Sequence, residues 1–229
     1  MNPTPGVPTV IFVSGNADKR ADADYILGSE MSLQLRNVEL KEIQGTEPQI
    51  AYDKCLRAME EFPSNIVVIE DTSLQLDAYS GMPGPYIKHF NNATGVDGIY
   101  NMVRASVHRG AYVMSTVAVG LPVTLSESGK EKQVLLISNK VRGQIVRPRG
   151  TGGDAKGWDA VFQPENSTKT LAEMSVMERR GYSSRVRNFE KAISVLKKAL
   201  TRGGLGFWSA QKLQGSEVTG QKGSVGITD

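Results

Sequence analysis

The sequence predicts an α/β domain, because short apolar runs typical of strands alternate with amphipathic segments typical of helices. The most decisive run is residues 66–69, where four consecutive β-branched side chains predict a buried strand. A second observation comes from the start of the chain, where a strand-like run at residues 7–13 leads through a small polar turn into a helical stretch at 17–28. The 229 residues, 39% of them hydrophobic, are enough to bury a substantial core.

The composition favours a cytoplasmic enzyme. No stretch approaches the roughly 18 consecutive apolar residues of a membrane helix, and the N-terminus lacks the basic start and apolar stretch of a signal peptide. The single cysteine, Cys55, excludes an internal disulfide and fits a reducing compartment. Because the net charge of +3 is small and the aromatic residues are scattered, we expect a small anionic ligand rather than a nucleic-acid polymer.

The turn after the first predicted strand consists of Ser14, Gly15 and Asn16. The start of a helix presents free backbone N–H groups and a favourable dipole to an anion. This turn, together with Lys19 in the first helical turn, therefore predicts a phosphate contact. The alternative for Lys19 is a solvated side chain.

Residues 38–45 alternate between apolar and polar side chains and predict the next strand, with Glu42 near its end. Thr46 then resembles the N-cap of a second helix. Apolar residues recur in that helix at a helical spacing, which predicts that Cys55 is a core residue and places Lys54 beside the apolar face.

Two carboxylates, Glu70 and Asp71, directly follow the buried run at 66–69. In an open α/β sheet, ligands collect beyond the carboxyl ends of the strands. The Gly- and Pro-rich segment 81–85 then predicts a stiff turn that places Lys88. Carboxylates and a held lysine suit a magnesium-bound polyphosphate; the alternative is a surface acidic pair followed by an ordinary loop.

The remaining elements comprise one more helix, two strands and a last helix, predicted at 95–107, 111–121, 133–146 and from 183 to about 203. The glycine-rich segment 147–159, which follows the strand predicted at 133–146, predicts a second functional loop, because glycines permit close approach to a ligand. At the start of the last helix, Ser183 and Ser184 either cap the helix or present an anion- or base-binding corner with Arg185. The predicted domain thus covers 7–202, and 203–229 is predicted to be a mostly disordered tail.

Seven short strings, in order, make the chain resemble the inosine triphosphate pyrophosphatase (Ham1-like) family over roughly residues 7–200. The strings are FVSGNADK (12–19), EIQG (42–45), EDTSL (70–74), GMPGPYIKHF (81–90), RGQIV (142–146), GWD (157–159) and AEM (172–174). No single string is specific, but the ordered set is.

The resemblance implies an α/β fold with a long mixed, twisted sheet flanked by helices and two lobes with a central cleft, as in ITPase- and Maf-like proteins. It also implies a homodimer. The implied reaction is hydrolysis of a nucleoside triphosphate to the monophosphate and pyrophosphate, with Mg²⁺ or Mn²⁺ as the cofactor. The implied substrates are non-canonical purine nucleotides (ITP, dITP and XTP), which such a house-cleaning enzyme removes from the nucleotide pool.

The resemblance further implies a role for each candidate residue. The metal ligands are Glu42 and Asp71, and either Asp71 or Glu70 positions or deprotonates the attacking water. The phosphates are bound by Ser14, Asn16, Lys19, Lys54 and Lys88. The nucleoside is bound by Trp158, Asp159, Arg179, Ser183, Ser184 and Arg185.

The nucleoside end departs from the family pattern. Where the family typically has Ser-His-Arg, this chain has Ser183, Ser184 and Arg185; an aromatic residue is replaced by Lys156, and a lysine by Arg179. The histidine helps to read the 6-oxo group, so its replacement leaves the choice of base open. Two alternatives to the main prediction are therefore a related pyrophosphatase with relaxed or altered base specificity and a non-catalytic nucleotide-binding module. The presence of Glu42, Glu70 and Asp71 together with Lys19 argues against the binding module, because a protein without catalysis has no need for this acid cluster.

Overall fold

The computed structural model of the chain describes residues 9–122, 132–150, 157–201 and 218–220. The helices are α1 (Ala17–Ile26), α2 (Glu47–Glu61), α3 (Ile87–Val103), α4 (Val176–Gly181) and α5 (Ser184–Thr201). The strands are β1 (Val10–Val13), β2 (Leu33–Arg36), β3 (Ile66–Leu76), β4 (Pro83–Gly84), β5 (Gly110–Leu121), β6 (Gln133–Ile145), β7 (Phe162–Pro164) and β8 (Val218–Gly220). Short 3₁₀ turns span Asp77–Tyr79, Gly157–Ala160 and Leu171–Glu173.

The strands form a mixed sheet in the order β2-β1-β3-β5-β6-β7, with β4 paired to β3 and β8 paired to β6. β1 is parallel to both of its neighbours, so that Phe12 lies opposite Leu35 on one side and Val68 on the other. β6 is antiparallel to β7, and β3 is antiparallel to β4. β1 ends at Val13, whereas β3 continues to Leu76. The turn after β1 lies at the carboxyl end of that strand, and ligands of open α/β sheets collect at such ends.

The chain divides into two compact units. Among the described residues, the first unit contains 9–70, 116–122, 132–138, 188–201 and 218–220, and the second contains 71–115, 139–150 and 157–187. The predicted α/β fold, with a mixed sheet flanked by helices, is confirmed. The two lobes and the central cleft stay a prediction.

The core of the first unit packs α2 against the strands. Cys55 is fully buried in it, as predicted, and this burial raises the pKa of its thiol. Gly120 of β5 permits the close approach of α2, because a Cβ at that position would overlap the Met59 side chain and lie 2.9 Å from Cys55 Sγ. Thr46 and Gln49 form a capping box at the start of α2, which confirms the predicted N-cap.

The core of the second unit packs α3 against β5, β6 and β7. At its edge Arg142 forms an ion pair with Asp77, with 2.7 Å between Nη2 and Oδ2. The hydrogen bond from Arg142 is the main cause of a lowered pKa at Asp77.

α3 starts earlier than predicted, at Ile87, and its helical geometry breaks at Gly95, where φ is +66°. The helix predicted at 95–107 is therefore only the second half of a longer element that also carries Lys88.

The strand predicted at 38–45 is wrong. The strand beside β1 is Leu33–Arg36, and residues 38–43 have no regular structure. Val38 and Leu40 nevertheless pack against the core of the first unit. Their alternation with polar residues thus reflects the burial of two side chains rather than pairing in the sheet, and Glu42 lies in an irregular segment.

The predicted tail lies mainly outside the described residues. Residues 151–156 of the loop predicted at 147–159, which include Lys156, also lie outside them. The described part of the tail, Val218–Gly220, pairs with β6, with Thr219 opposite Leu136. In the part of the chain that the structure describes, no helix is long and apolar enough to cross a membrane.

Candidate functional site

The turn after β1 is held by its own side chains. Asn16 is the N-cap of α1, and its Oδ1 accepts hydrogen bonds from the backbone N–H groups of Asp18 (2.8 Å) and Lys19 (3.1 Å). Ser14 Oγ accepts a hydrogen bond from the backbone N–H of Asn16 at 3.2 Å. Ser14 and Asn16, predicted to bind phosphate, thus shape the start of α1.

Lys19 connects this turn to β3. Its Nζ lies 3.0 Å from Oε2 of Glu70 and donates a hydrogen bond to the Glu70 backbone carbonyl at 3.1 Å. The Glu70 side chain is completely buried, and that of Lys19 is 15% exposed. A buried carboxylate requires a compensating charge or hydrogen bonds, and the Lys19 ammonium group supplies the charge. The structure therefore brings together a predicted phosphate-binding residue and a predicted catalytic residue.

A second pair of predicted site residues meets in the first unit. Lys54 of α2 donates a hydrogen bond to Glu42 Oε1 at 2.9 Å, and the two side chains are 13% and 30% exposed. The irregular segment that follows β2 thus presents its carboxylate to α2. The predicted metal ligand Glu42 and the predicted phosphate-binding residue Lys54 are neighbours.

In the second unit, Asp71 is buried on β3 with 8% exposure. In the turn that follows β3, Ser80 and Gly81 both have positive φ, and β4 pairs Gly84 with Leu74. It leads directly into α3, where Lys88 is exposed in the first turn. The predicted placement of Lys88 by a rigid turn is consistent with this geometry.

The predicted base-binding loop ends in the 3₁₀ turn Gly157–Ala160, which contains Trp158 and Asp159. The ring of Trp158 packs edge-on against Phe162, with 6.2 Å between centroids, and is half-buried in the core of the second unit. Asp159 Oδ2 lies 3.3 Å from Nη1 of Arg179. The structure thus joins Asp159 to Arg179, two residues predicted at the nucleoside end.

The two adjacent serines at the start of α5 have different environments. Ser183 Oγ accepts a hydrogen bond from the backbone N–H of Val186 at 3.3 Å, so Ser183 caps the helix. Ser184 is buried with 2% exposure. Of the two readings left open by the sequence, the geometry supports capping for Ser183.

A model of the Ham1 family matches residues 10–195. The chain belongs to the Ham1 family. It is 37% identical over 177 residues to the inosine triphosphate pyrophosphatase of Schizosaccharomyces pombe, covering 77% of this chain and 89% of that protein. It is 36% identical over 201 residues to the inosine triphosphate pyrophosphatase of Aspergillus fumigatus, covering 87% of this chain and 99% of that protein.

Solved structures show the same fold. A Ham1 protein of Coxiella burnetii superposes with a TM-score of 0.70 at 19% identity, covering 83% of this chain and 99% of that one. The Ham1 protein of Staphylococcus aureus gives a TM-score of 0.67 at 20% identity, covering 83% and 98%. The family resemblance inferred from the seven strings is therefore confirmed.

Sequence reasoning missed two residues that hold the site of this Ham1 family member. Arg20 Nη1 donates a hydrogen bond to the Ser14 carbonyl at 2.7 Å and a longer one to Asn37 Oδ1 at 3.4 Å. Arg20 thus joins the turn after β1 to the segment after β2. No local signal marks its contact with Asn37, because that contact depends on the parallel pairing of β1 with β2.

Proposed function

We propose that the chain is a nucleoside triphosphate pyrophosphatase that hydrolyses ITP, together with dITP and XTP, to the monophosphate and pyrophosphate. Ham1 family membership and relatives named inosine triphosphate pyrophosphatase support this proposal. The structural observation that carries it is the pairing of predicted phosphate-binding lysines with predicted catalytic and metal-binding carboxylates, Lys19 with Glu70 and Lys54 with Glu42. Such pairs provide both the cations for a triphosphate and the acids for its hydrolysis.

The proposed cofactor is Mg²⁺, with Mn²⁺ as a possible substitute, held by Glu42 and Asp71. Among the described residues, no group of three or more His, Cys, Asp or Glu side chains is arranged to hold a metal. Magnesium needs less from a protein, because it usually takes one or two carboxylates together with substrate phosphates and water. Glu42 and Asp71 are carboxylates, the kind of ligand that magnesium takes from a protein. When bound, the metal offsets charge on the phosphoryl oxygens and lowers the pKa of bound water.

The chain's own residues bind and orient the triphosphate. Lys19, Lys54 and Lys88 donate hydrogen bonds to phosphate oxygens, and no protein nucleophile is needed because phosphoryl transfer depends mainly on positioning and electrostatics. Asp71 takes the proton from the attacking water, since the Glu70 carboxylate is engaged by Lys19. Glu70 accordingly positions Lys19.

The nucleoside end consists of Trp158, Asp159, Arg179, Ser184 and Arg185. Arg179 is tied to Asp159, which fixes the turn that carries Trp158. The buried hydroxyl of Ser184 stands where the family typically has a histidine. This replacement supports relaxed base specificity as the alternative form of the same activity.

The test is pyrophosphate release from a panel of triphosphates (ITP, XTP, dITP, GTP, ATP and CTP) with Mg²⁺ or Mn²⁺. We expect a preference for ITP and XTP, and a loss of ~10²-fold or more in kcat for Asp71→Asn. The matched control is Asp97→Asn, at an exposed position on α3, which should keep wild-type activity.

Each outcome decides between the alternatives. Similar rates across the panel would assign the chain to the pyrophosphatases of relaxed specificity. Nucleotide binding without any pyrophosphate release would refute the enzymatic proposal and leave the binding module.

We further propose that the protein is a homodimer in the cytoplasm, as the family resemblance implies. Sedimentation velocity at micromolar concentration tests the assembly, and a sedimentation coefficient that corresponds to 24.8 kDa would refute the dimer.

A further inference from the structure

Asn91 of α3 has a buried polar atom that lacks a partner. Its side-chain Oδ1 is inaccessible to solvent and accepts no hydrogen bond from any residue that the structure describes. Burying an amide oxygen without a hydrogen bond is costly, and a native protein that keeps one commonly does so for a functional reason.

Asn91 lies at the border between the buried and the exposed sides of α3. It is one turn after both Ile87, which is buried, and Lys88, which is exposed and proposed to bind phosphate. Residues three and four positions apart are neighbours on a helix surface. Asn91 is therefore adjacent to a proposed phosphate contact on the same helix.

The Asn91 side chain also lies against the turn that carries Trp158. α3 packs on the turn Gly157–Ala160, and a Cβ at Gly157 would lie 3.4 Å from Asn91 Nδ2. Gly157 has a φ of +57°, so a glycine is favoured there on conformational grounds as well. The backbone beside Trp158 and Asp159 thus runs directly past the Asn91 carboxamide.

We infer that Asn91 reads the nucleobase of the substrate, with its buried carboxamide oxygen accepting a hydrogen bond from an N–H group on the edge of the base. The inference rests on the proposed function and adds a specificity residue to it. The N1–H of a 6-oxopurine is one donor of this kind, and the exocyclic amino group of adenine or guanine is another. In this chain, where Ser184 replaces the usual histidine, Asn91 supplies a polar contact to the base.

The test compares Asn91→Leu, which removes both polar groups at similar volume, with Asn92→Leu, a matched change at the exposed neighbouring position. Pyrophosphate release is measured on ITP, ATP and N1-methyl-ITP, which lacks the N1–H donor. In Asn91→Leu we expect the preference for ITP over N1-methyl-ITP, as a ratio of kcat/KM, to fall by about 3- to 10-fold. Asn92→Leu should leave the ratio unchanged.

A thermal unfolding curve separates this role from a structural one. Because Asn91→Leu removes an unsatisfied buried amide oxygen, its Tm should equal or exceed that of the wild type. A loss confined to ATP would assign the hydrogen bond to the exocyclic amino group and still support base reading. Unchanged kcat/KM values on all three substrates, or an equal loss on all three, would overturn the inference. Wild-type release of pyrophosphate from ITP tests the proposed function separately, because it does not depend on Asn91.

Discussion

The ion pair between Lys19 and Glu70 gives the sharpest prediction about stability. In Lys19→Met the completely buried Glu70 carboxylate loses the ammonium that lies 3.0 Å from it. At an effective dielectric constant of about 20, Coulomb's law gives a gross attraction of ~5 kcal/mol at this distance. Removing one partner of a buried pair typically costs ~3–5 kcal/mol, since the remaining charge is left uncompensated.

We expect the lower end of that range for Lys19→Met, ~3 kcal/mol in the free energy of unfolding. The reason for the lower end is that Lys19 is 15% exposed, so water partly screens the pair. Glu70→Gln should cost less, ~1 kcal/mol, because Gln keeps the shape of Glu and Lys19 keeps its hydrogen bond to the residue 70 carbonyl at 3.1 Å. In the double variant neither charge is left unpaired.

The assay is urea unfolding at neutral pH without nucleotide, for the two single variants and the double variant. We expect the double variant to be at least ~1 kcal/mol more stable than the sum of the single effects predicts. The control is the pair Lys169–Glu178, which has a similar distance of 2.8 Å but side chains that are 50% and 49% exposed. Removing Lys169 should have a far smaller effect. Additive effects at Lys19 and Glu70 would refute the reasoning.

Three further predictions concern packing, pH and capping. Gly120→Ala should destabilise the protein by ~1–3 kcal/mol through overpacking against α2, whereas Gly181→Ala, with open space around it, should not; equal unfolding midpoints in urea would contradict this. Arg142 holds the pKa of Asp77 below its usual value of 3.8, so the stability from Asp77 is present above about pH 4 and lost as the pH falls through the lower, folded-state pKa. Urea unfolding at stepped pH should therefore show a weaker acid dependence for Asp77→Asn than for the wild type, and identical slopes would rule this out. Asn16→Ala removes two capping hydrogen bonds and should cost ~1 kcal/mol by the same assay; no change would show that the cap is energetically unimportant.

The sequence predicted best the elements whose determinants are local. The start of α2 follows from Thr46 and Gln49, which are three residues apart and bond to each other. Asn16 was predicted only as a phosphate contact, although a short polar residue before a helix is also a common N-cap. A short polar side chain before a helix fits both roles, and only the hydrogen bonds show that Asn16 serves as the cap.

Elements that depend on distant pairing were harder to predict. β2 is a strand because Leu33 and Leu35 lie beside β1, whereas the stronger alternation at 38–45 has no neighbouring strand. Lys19 and Glu70 were both predicted at the site, but their contact spans 51 positions and depends on the register of β1 with β3. The residue types are visible in the sequence, and their pairing is a property of the sheet.

The ion pairs Lys19–Glu70 and Lys54–Glu42 have a consequence for how a triphosphate would bind. A phosphate that binds Lys19 or Lys54 competes with a carboxylate that already lies within 3.0 Å of the ammonium group. The attraction gained from the phosphate is therefore offset by the attraction lost from Glu70 or Glu42, so net binding is weaker than the number of lysines suggests. Neutralising Glu42 would remove that competition at Lys54. On the proposed function, triphosphate and divalent cation should accordingly bind each more tightly in the presence of the other, because the cation takes the carboxylate while the phosphate takes the lysine.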